Sequence, residues 1–567
     1  MRCILSKLQE YDDWNASGMP LMYFGNSVIL VLNAKIRIQA GGDGMGTYFN
    51  PNYGSFKTDK NSRIYIDKTE LLAYLNEILC TNEKYIAISH ARRFGKSHAA
   101  GMIDAYYSLG ADSASLFQDT RISEHQGYEE HLNKYNVIHI DVSSFWDSYQ
   151  DNIIAKISEY IIDDISKVYG DKIDDTKMLN YILMNVYEIS GIPFVIILDE
   201  WDCPVRNSED RGLVHKYLQF LHSLFKSEES RSFLALAYIT GILPIKKIKD
   251  ESALNNFKEF TMLKSRPITE FFGFTEGEVR ELCSKYHMDF DIVRAWYDGY
   301  TIDGIHMYNP NSVVRAMTDG CYDSYWKNTS SFSSVNTFIT MNYEGLKDDV
   351  LAMLGGGRVH VNTNTFQNDF STVATKDDAL TALIHMGYLG YDAERRVAYI
   401  PNYEVAAAFE AALQVGEWKD VANIISRCDE LLYATIDKDA DKVAEIIEIA
   451  HETYTSVLKY NDENSLSCVL TMAYFTAPAY YSMIREMPSG KGFADLAFIP
   501  RSNAGFRPAI LVELKYNQSA DTALKQIKER RYHGVLANTC EQVLLVGINY
   551  DTKSKVHTCA IEEYRMG

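Results

Sequence analysis

Tyr85-Ile86-Ala87-Ile88-Ser89 is an uncharged, β-prone run that opens directly into His90-Ala91-Arg92-Arg93-Phe94-Gly95-Lys96-Ser97 and then into the helix-compatible stretch Ala99 to Tyr107. Strand, tight loop, Gly-Lys-Ser and helix, in that order, form the context in which a loop backbone wraps a phosphate. Gly95 lets the main chain approach phosphate oxygens, and the first amides of the helix favour negative charge. Lys96 would offer a cation to the β- and γ-phosphates, and the Ser97 hydroxyl a ligand for Mg²⁺. Five residues before Gly95, where such loops usually carry a first glycine, stands His90. A surface turn with two exposed arginines would give the same letters.

A second segment, roughly 100 residues on, narrows the choice. Phe194-Val195-Ile196-Ile197-Leu198 is a continuous apolar run ending in Asp199-Glu200, as expected of a parallel strand buried on both faces. Asp199 would hold Mg²⁺ through water, and Glu200 would polarise the attacking water. A strand running into an acidic turn is the plainer alternative. In a parallel α/β sheet both strand ends meet beside the same phosphate, so each segment supports the other. Val137–Val142 and Phe233–Ile239 are predicted as further strands, the latter ending in Thr240-Gly241. That makes Thr240 a candidate γ-phosphate sensor, with an ordinary turn residue as the equal alternative. Arg93 is the candidate for a phosphate contact or a finger across a subunit boundary, which leaves a homo-oligomer open; solvated side chains at Arg92 and Arg93 fit as well.

At the other end, Gly490 to Ile499 alternates towards a strand that carries Asp495. After a turn-like stretch comes Ala509-Ile510-Leu511-Val512-Glu513-Leu514-Lys515-Tyr516, in which Glu513 and Lys515 share a face. A hairpin would bring Asp495 beside them. Two acids and a lysine at a bent strand suit metal-dependent phosphodiester hydrolysis. Asp495 and Glu513 supply hard oxygen ligands for Mg²⁺ or Mn²⁺; Lys515 positions or deprotonates water and offsets transition-state charge. The spacing alone arises easily by chance, and an edge-strand Glu–Lys pair is the structural alternative. Lys525, Lys528, Arg530 and Arg531 follow on or beside a predicted helix, Thr522 to Tyr532. They read either as contacts to a nucleic-acid backbone or as a solvated face.

Several segments resemble the predicted AAA-ATPase-like family of bacterial proteins. They are Tyr65-Ile66-Asp67-Lys68-Thr69, Ala91 to Ser97, Leu198-Asp199-Glu200-Trp201-Asp202, Phe272-Gly273-Phe274-Thr275, Trp296-Tyr297-Asp298-Gly299-Tyr300, Tyr308-Asn309-Pro310 and Tyr325-Trp326. The family usually carries a C-terminal PD-(D/E)xK nuclease domain. The resemblance implies an ATP site that includes Arg93, Phe94, Gly95, Lys96, Ser97, Asp199 and Thr240, with Asp202 orienting it. At the nuclease end it implies that Gln526 and Tyr532 lie near the metal, and that Glu463, on a first helix Glu463–Ala473, adds a further acid. The family pattern has Arg-Pro before Arg-Arg-Phe-Gly-Lys, where this chain has His90-Ala91; loss of the proline loosens the loop. The aromatic segments at 296–300 and 325–326 read as core rather than base-stacking platforms.

The expected fold class is multidomain α/β: a P-loop NTPase parallel sheet with a helical lid, joined to a restriction-endonuclease-like α/β domain. At 567 residues the chain exceeds one hydrophobic core. The expected boundaries are 1–44 leader, 45–260 ATPase, 261–335 lid, 336–430 mixed connector and 431–567 nuclease. The leader shows no amphipathic period and ends in Gly41-Gly42-Asp43-Gly44. Met45 is the expected start, those glycines reading as a translated ribosome-binding site; a docked strand at Ser27–Leu32 is the alternative. In the connector, helices Asp378–Gly387 and Val405–Leu413 are expected around an antiparallel pair, Leu389–Tyr391 and Val397–Ile400, followed by a helix Asp437–Thr453. Net charge is −20, which argues against a chain that coats nucleic acid through a global basic surface. From residue 491 onward, however, 11 Lys and Arg face 8 Asp and Glu, so local contact with nucleic acid, DNA foremost, is retained as an expectation. Nine cysteines without a CxxC pair fit a reducing, cytoplasmic compartment, and no apolar run suggests a membrane span.

Overall fold

The structure is a computed structural model that describes residues 46–245, 254–325, 338, 343–354, 356–366, 373–413, 427–455, 469–470, 473–474, 477, 480–489, 492–500, 507–529 and 542–565. The leader, Trp326, Glu463, Arg530, Arg531 and Tyr532 lie outside these residues.

The first sheet is built from β1 (Tyr85–Ser89), β2 (Asn136–Asp141), β3 (Phe194–Asp199), β4 (Leu234–Gly241) and β5 (Lys258–Thr261). The spatial order is β2-β3-β4-β1-β5, with every neighbouring pair parallel. β1, β3 and β4 are buried at every position, which explains a sequence that is apolar except at the strand ends, where Ser89, Asp199 and Thr240 stand. Alternate residues of β3 serve the two faces. Phe194, Ile196 and Leu198 join one core with Ile157, Ile182 and Leu218; Val195 and Ile197 join the other with Leu72, Ile86 and Ile103. β2 ends at Asp141, one residue before the predicted end, because the Asp141 carboxylate caps the helix Val142–Tyr149 by accepting from the amides of Ser143 and Ser144. Phe233 closes the helix Glu228–Phe233, so β4 starts at Leu234.

A small antiparallel sheet follows: β6 (Phe274–Thr275), β7 (Tyr300–Ile302) and β8 (Ile305–Tyr308). The helices Glu276–Tyr286, Phe290–Tyr297 and Pro310–Asp319 accompany it. The stretch read as a helical lid therefore also carries strands, each too short to show a period of two. Tyr297, Tyr300 and Tyr308 are buried core. Gly299 has φ +108°, and a Cβ there would stand 2.1 Å from the Pro401 carbonyl oxygen, so this position admits only glycine.

β9 (Val359–His360), β10 (Gly390–Asp392) and β11 (Val397–Tyr399) form a third sheet, with β10 and β11 antiparallel as expected and β9 an unread addition. The helix read from Asp437 begins at Ala440, because Asp437 ends a preceding helix, Cys428–Ile436, and Lys438 turns the chain at φ +62°. The last sheet is β12 (Tyr481–Ser489), β13 (Gly492–Pro500), β14 (Ala509–Tyr516), β15 (Gln542–Asp551) and β16 (Val556–Arg565), in that order. Among the described strands of this sheet only β14 and β15 pair in parallel, and the helix Ala520–Glu529 lies between them in the chain. One continuous core runs from Ala91 and Phe94 through Leu380, Leu383 and Ile446 to Leu496, Val512, Leu514 and Val546. Among the described residues no helix is long and apolar enough to cross a membrane.

The helix Ala440–Thr455 is joined to β16 by a buried contact between two imidazoles, His451 Nδ1 and His557 Nε2, 2.8 Å apart. The Tyr550 ring lies 4.3 Å from one and 4.7 Å from the other, centroid to centroid. Burial, and then the neighbouring His451, push the His557 pKa down to about 3. The unfolded chain thus takes up a proton near pH 6.5 that the folded chain refuses until about pH 3. Stability at this residue is complete above pH 6.5 and declines as pH falls through that window, by about 1.4 kcal/mol per pH unit. Urea unfolding at pH 7 and pH 5 is expected to show a smaller acid loss in His557→Gln than in the parent, by about 2 kcal/mol. An equal loss in both would contradict it.

Candidate nucleotide and metal sites

The loop after β1 is shaped by two left-handed residues, Arg93 at φ +69° and Gly95 at φ +87°. Such alternation turns successive amides towards one concavity, an arrangement suited to anions. Gly95 is the N-cap of the helix Lys96–Tyr107. Nothing lies within 4 Å of a Cβ placed there, so its φ, not its space, demands glycine. Lys96 is buried and donates to the carbonyls of His90 and Ala91, each at 2.9 Å. Burial lowers its pKa, while Glu200, Asp199 and Asp202 act to hold its charge. Ser97 is exposed at the helix start.

His90 is fully buried, with Nε2 2.6 Å from Ser265 Oγ and its ring 5.3 Å from Phe272. Burial, reinforced by Lys96 and His385, drives its pKa down to about 3, so the imidazole is neutral. The residue at the first-glycine position is thus a core side chain that ties the loop to the segment after β5. The Phe94 side chain is also core, edge-on to Tyr300 at 5.2 Å, and its carbonyl accepts from Gly273 at 3.0 Å. Phe94 therefore serves the loop through its main chain. Gly273 has φ +98°, and a Cβ there would lie 3.1 Å from Phe94 Cδ1, which accounts for the glycine in Phe272-Gly273-Phe274-Thr275. Arg93 donates to the Tyr325 carbonyl of the same chain at 3.3 Å.

β4 lies between β1 and β3, and the register sets Ile88 beside Thr240 and Leu198 beside Ile239. Thr240 Oγ1 donates to Asp199 Oδ1 and accepts from the Glu200 amide at 3.3 Å. Asp199, Glu200, Thr240 and Lys96 thus gather at one edge of the sheet. The Glu200 carboxylate is ion-paired with Arg206 at 2.9 Å. Asp202, fully buried, accepts from Arg206 at 2.9 Å and from the amides of Ile242 and Leu243 at 3.0 and 2.8 Å. Sequence reading missed Arg206, because nothing in the spacing from Glu200 announces the contact. Hard oxygen donors at Ser97 and Asp199 have the chemistry that Mg²⁺ takes.

In the last sheet β13 and β14 are antiparallel, pairing Leu496 with Val512. Asp495 accepts from the Leu514 amide at 2.7 Å. Lys515 Nζ stands 3.0 Å from Glu513 Oε1 and 2.9 Å from the Leu514 carbonyl, and Gln526 donates to the same Glu513 oxygen. Gly547 is the register partner of Glu513 on β15. A Cβ at 547 would fall 2.3 Å from the Ala520 carbonyl, so glycine lets the helix Ala520–Glu529 close on the sheet and deliver Gln526. Asp495, Glu513 and the Leu514 carbonyl are oxygens that could hold a divalent ion. Among the described residues no group of three or more His, Cys, Asp or Glu is placed for a metal, and Glu463 lies outside them. Lys525 pairs with Glu529 at 3.7 Å, and Lys528 pairs with Glu562, so acids offset both cations.

The side chains of Glu513 and Lys515 are only 3% and 10% exposed. Removing one partner of such a pair leaves a charge buried alone, at a cost of about 3 kcal/mol or more. Lys515→Met is expected to lower stability by that order in urea unfolding, and Glu513→Gln with Lys515→Met to recover most of it. Two additive losses would show that the pair is not coupled.

Residues 53–249 match the family model described as predicted AAA-ATPase, and residues 461–559 that of the PD-(D/E)XK nuclease superfamily. An Azotobacter chroococcum mcd 1 protein, described as an uncharacterized protein in the vnfD 5' region, is 21% identical over 512 residues, covering 87% of this chain and 93% of that protein. Among solved structures, the Aeropyrum pernix ORC1 protein in complex with DNA aligns at 11% identity and TM-score 0.25, covering 87% of this chain and 99% of that one. The ORC2 protein of the same organism, in ADPNP-ADP complexes, aligns at 11% and TM-score 0.21, covering 64% and 94%. The chain thus carries, in order, a segment similar to the predicted AAA-ATPase family, 53–249, and a segment similar to the PD-(D/E)XK nuclease superfamily, 461–559.

Proposed function

We propose that this protein binds and hydrolyses ATP with Mg²⁺ at the tips of β1, β4 and β3, and couples this to metal-dependent cleavage of nucleic acid, DNA foremost, at β13 and β14. The observation that carries the reading is the convergence of Asp495, Glu513, Lys515 and Gln526, from two strands and a helix, around Leu514.

In the nucleotide half, the loop amides around Gly95 and the Lys96 ammonium hold the phosphates. Ser97 and Asp199 hold Mg²⁺, Glu200 polarises water, and Thr240 reads the terminal phosphate through its bond to Asp199. Arg93 adds positive charge beside the loop. In the nuclease half, Asp495 and Glu513 hold Mg²⁺ or Mn²⁺, with Glu463 the candidate further acid. Lys515 and Gln526 orient the water and steady the developing charge. The divalent ion, when bound, supplies Lewis-acid polarisation of the phosphate.

A second reading is a signalling or scaffold NTPase whose C-terminal domain binds nucleic acid or protein without cutting it. It is favoured by the absence, among the described residues, of three metal-ligating side chains in one place. Lys96→Ala is expected to abolish ATP turnover. Asp495→Ala and Lys515→Met are expected to abolish cleavage of single- and double-stranded DNA while ATP binding stays intact. Nuclease variants that cut as well as the parent would overturn the first reading. A folded parent that binds DNA or RNA yet cuts neither with Mg²⁺ or Mn²⁺ would support the second.

A further inference from the structure

The Arg206–Glu200 ion pair gives Glu200 a partner that the water-polarising role does not require. Arg206 Nη2 meets Glu200 Oε2 at 2.9 Å, with the guanidinium side chain 6% exposed and the Glu200 side chain 28% exposed. The guanidinium is fixed from behind, because Nε donates to Asp202 Oδ2 at 2.9 Å. The same Asp202 oxygen accepts the amides of Ile242 and Leu243. These two residues follow directly on Thr240-Gly241, the tip of β4. Space is tight there: a Cβ on Gly241 would stand 2.8 Å from Asp202 Oδ1 and 2.9 Å from Trp201 Nε1. Glu200 itself sits at φ +51°, a backbone conformation that non-glycine residues adopt at some cost and that surrounding contacts must hold.

A carboxylate oxygen engaged by a guanidinium in a charge-assisted bond has a lone pair committed and is a poorer acceptor for a proton from water. The grip is built from rigid parts. Arg206 lies on the short helix Cys203–Asn207, one turn beyond Asp202, and Asp202 is clamped by main-chain amides. We infer that Arg206 is a positioning residue that restrains Glu200, so that the resting chain turns over ATP slowly until the Ile242–Leu243 segment shifts. The connection to nucleotide is short. Thr240 binds Asp199, and two residues later the same strand exit holds Asp202 and hence Arg206. Movement at the Thr240–Asp199 contact therefore reaches the restraint without leaving the sheet edge. The inference rests on the ATPase reading above and specifies how that site is held in check.

The test is steady-state ATP hydrolysis by the full chain carrying Arg206→Gln, Arg206→Lys or Asp202→Asn, with Mg²⁺·ATP binding and thermal melting measured on each. Arg206→Gln removes the charge but keeps a polar side chain. It is expected to raise kcat on the order of ten-fold, the worth of one charged hydrogen bond, with KM and nucleotide affinity unchanged. Arg206→Lys, which keeps the charge, should fall between Gln and the parent. Asp202→Asn, which loosens the anchor, should raise kcat in the same direction, and it covers the case in which Arg206→Gln does not fold. A merely structural arginine would lower kcat or weaken nucleotide binding, and a folded variant with kcat at or below the parent's overturns the inference while leaving the ATPase reading in place. No turnover in parent or variants, despite nucleotide binding, overturns both.

Discussion

The candidate nucleotide site depends on one packing decision, the insertion of β4 between β1 and β3. Parallel pairing on both sides brings three strand ends to one edge, so residues far apart in sequence, Lys96, Asp199 and Thr240, become neighbours. Because side chains alternate along a strand, slippage of β4 by one residue would turn Thr240 away from Asp199 and replace it with Ile239 or Gly241. The registers on the two sides guard against this. Ile88 faces Thr240 on one side and Leu198 faces Ile239 on the other, and all of β4 is buried, so a slip would cost packing on both faces at once.

The loop between β1 and its helix is held by more than the sheet. His90 is buried on Ser265, Phe94 packs on Tyr300, and the Phe94 carbonyl takes the Gly273 amide. Ala91 and Phe94 belong to a core that continues to Leu514, the residue between Glu513 and Lys515. Close-packed interiors transmit displacement rather than absorb it. A continuous packed medium between the two candidate sites therefore exists.

What the sequence disclosed tracks how each element is buried. β1, β3 and β14 are sheet-interior strands whose largely apolar runs carry the strongest strand signal in the sequence, and the acids and lysines in or just after them are legible from it. Val543-Leu544-Leu545-Val546 in β15 carries the same signal and was there to be found. β6 and β9 span two residues each, too few to show alternation, and they exist because tertiary neighbours supply partners. The helix starts at Ala440 and not at the expected Asp437 for a local cause, a left-handed lysine at 438 that no composition rule forecasts. Contacts such as Arg206 on Glu200 were invisible for another reason. They need both the turn at Glu200 and the helix that follows, and neither side chain has an unusual neighbour in sequence.

Both candidate sites share a costly device: an acid below the surface, held by a cation from the same chain. Asp202 has Arg206, and Glu513 has Lys515. Desolvating two charges typically costs as much as their attraction returns, and apolar side chains of the same volume usually serve a core equally well or better. Stability therefore gives little reason for these pairs. Their positions supply one, since Asp202 lies two residues beyond Glu200 and the Glu513–Lys515 pair lies at the Leu514 amide that binds Asp495. A buried charge is retained where orientation matters more than free energy. At both strand ends what is oriented is a second carboxylate: Glu200, reached through Arg206, and Asp495, reached through the backbone.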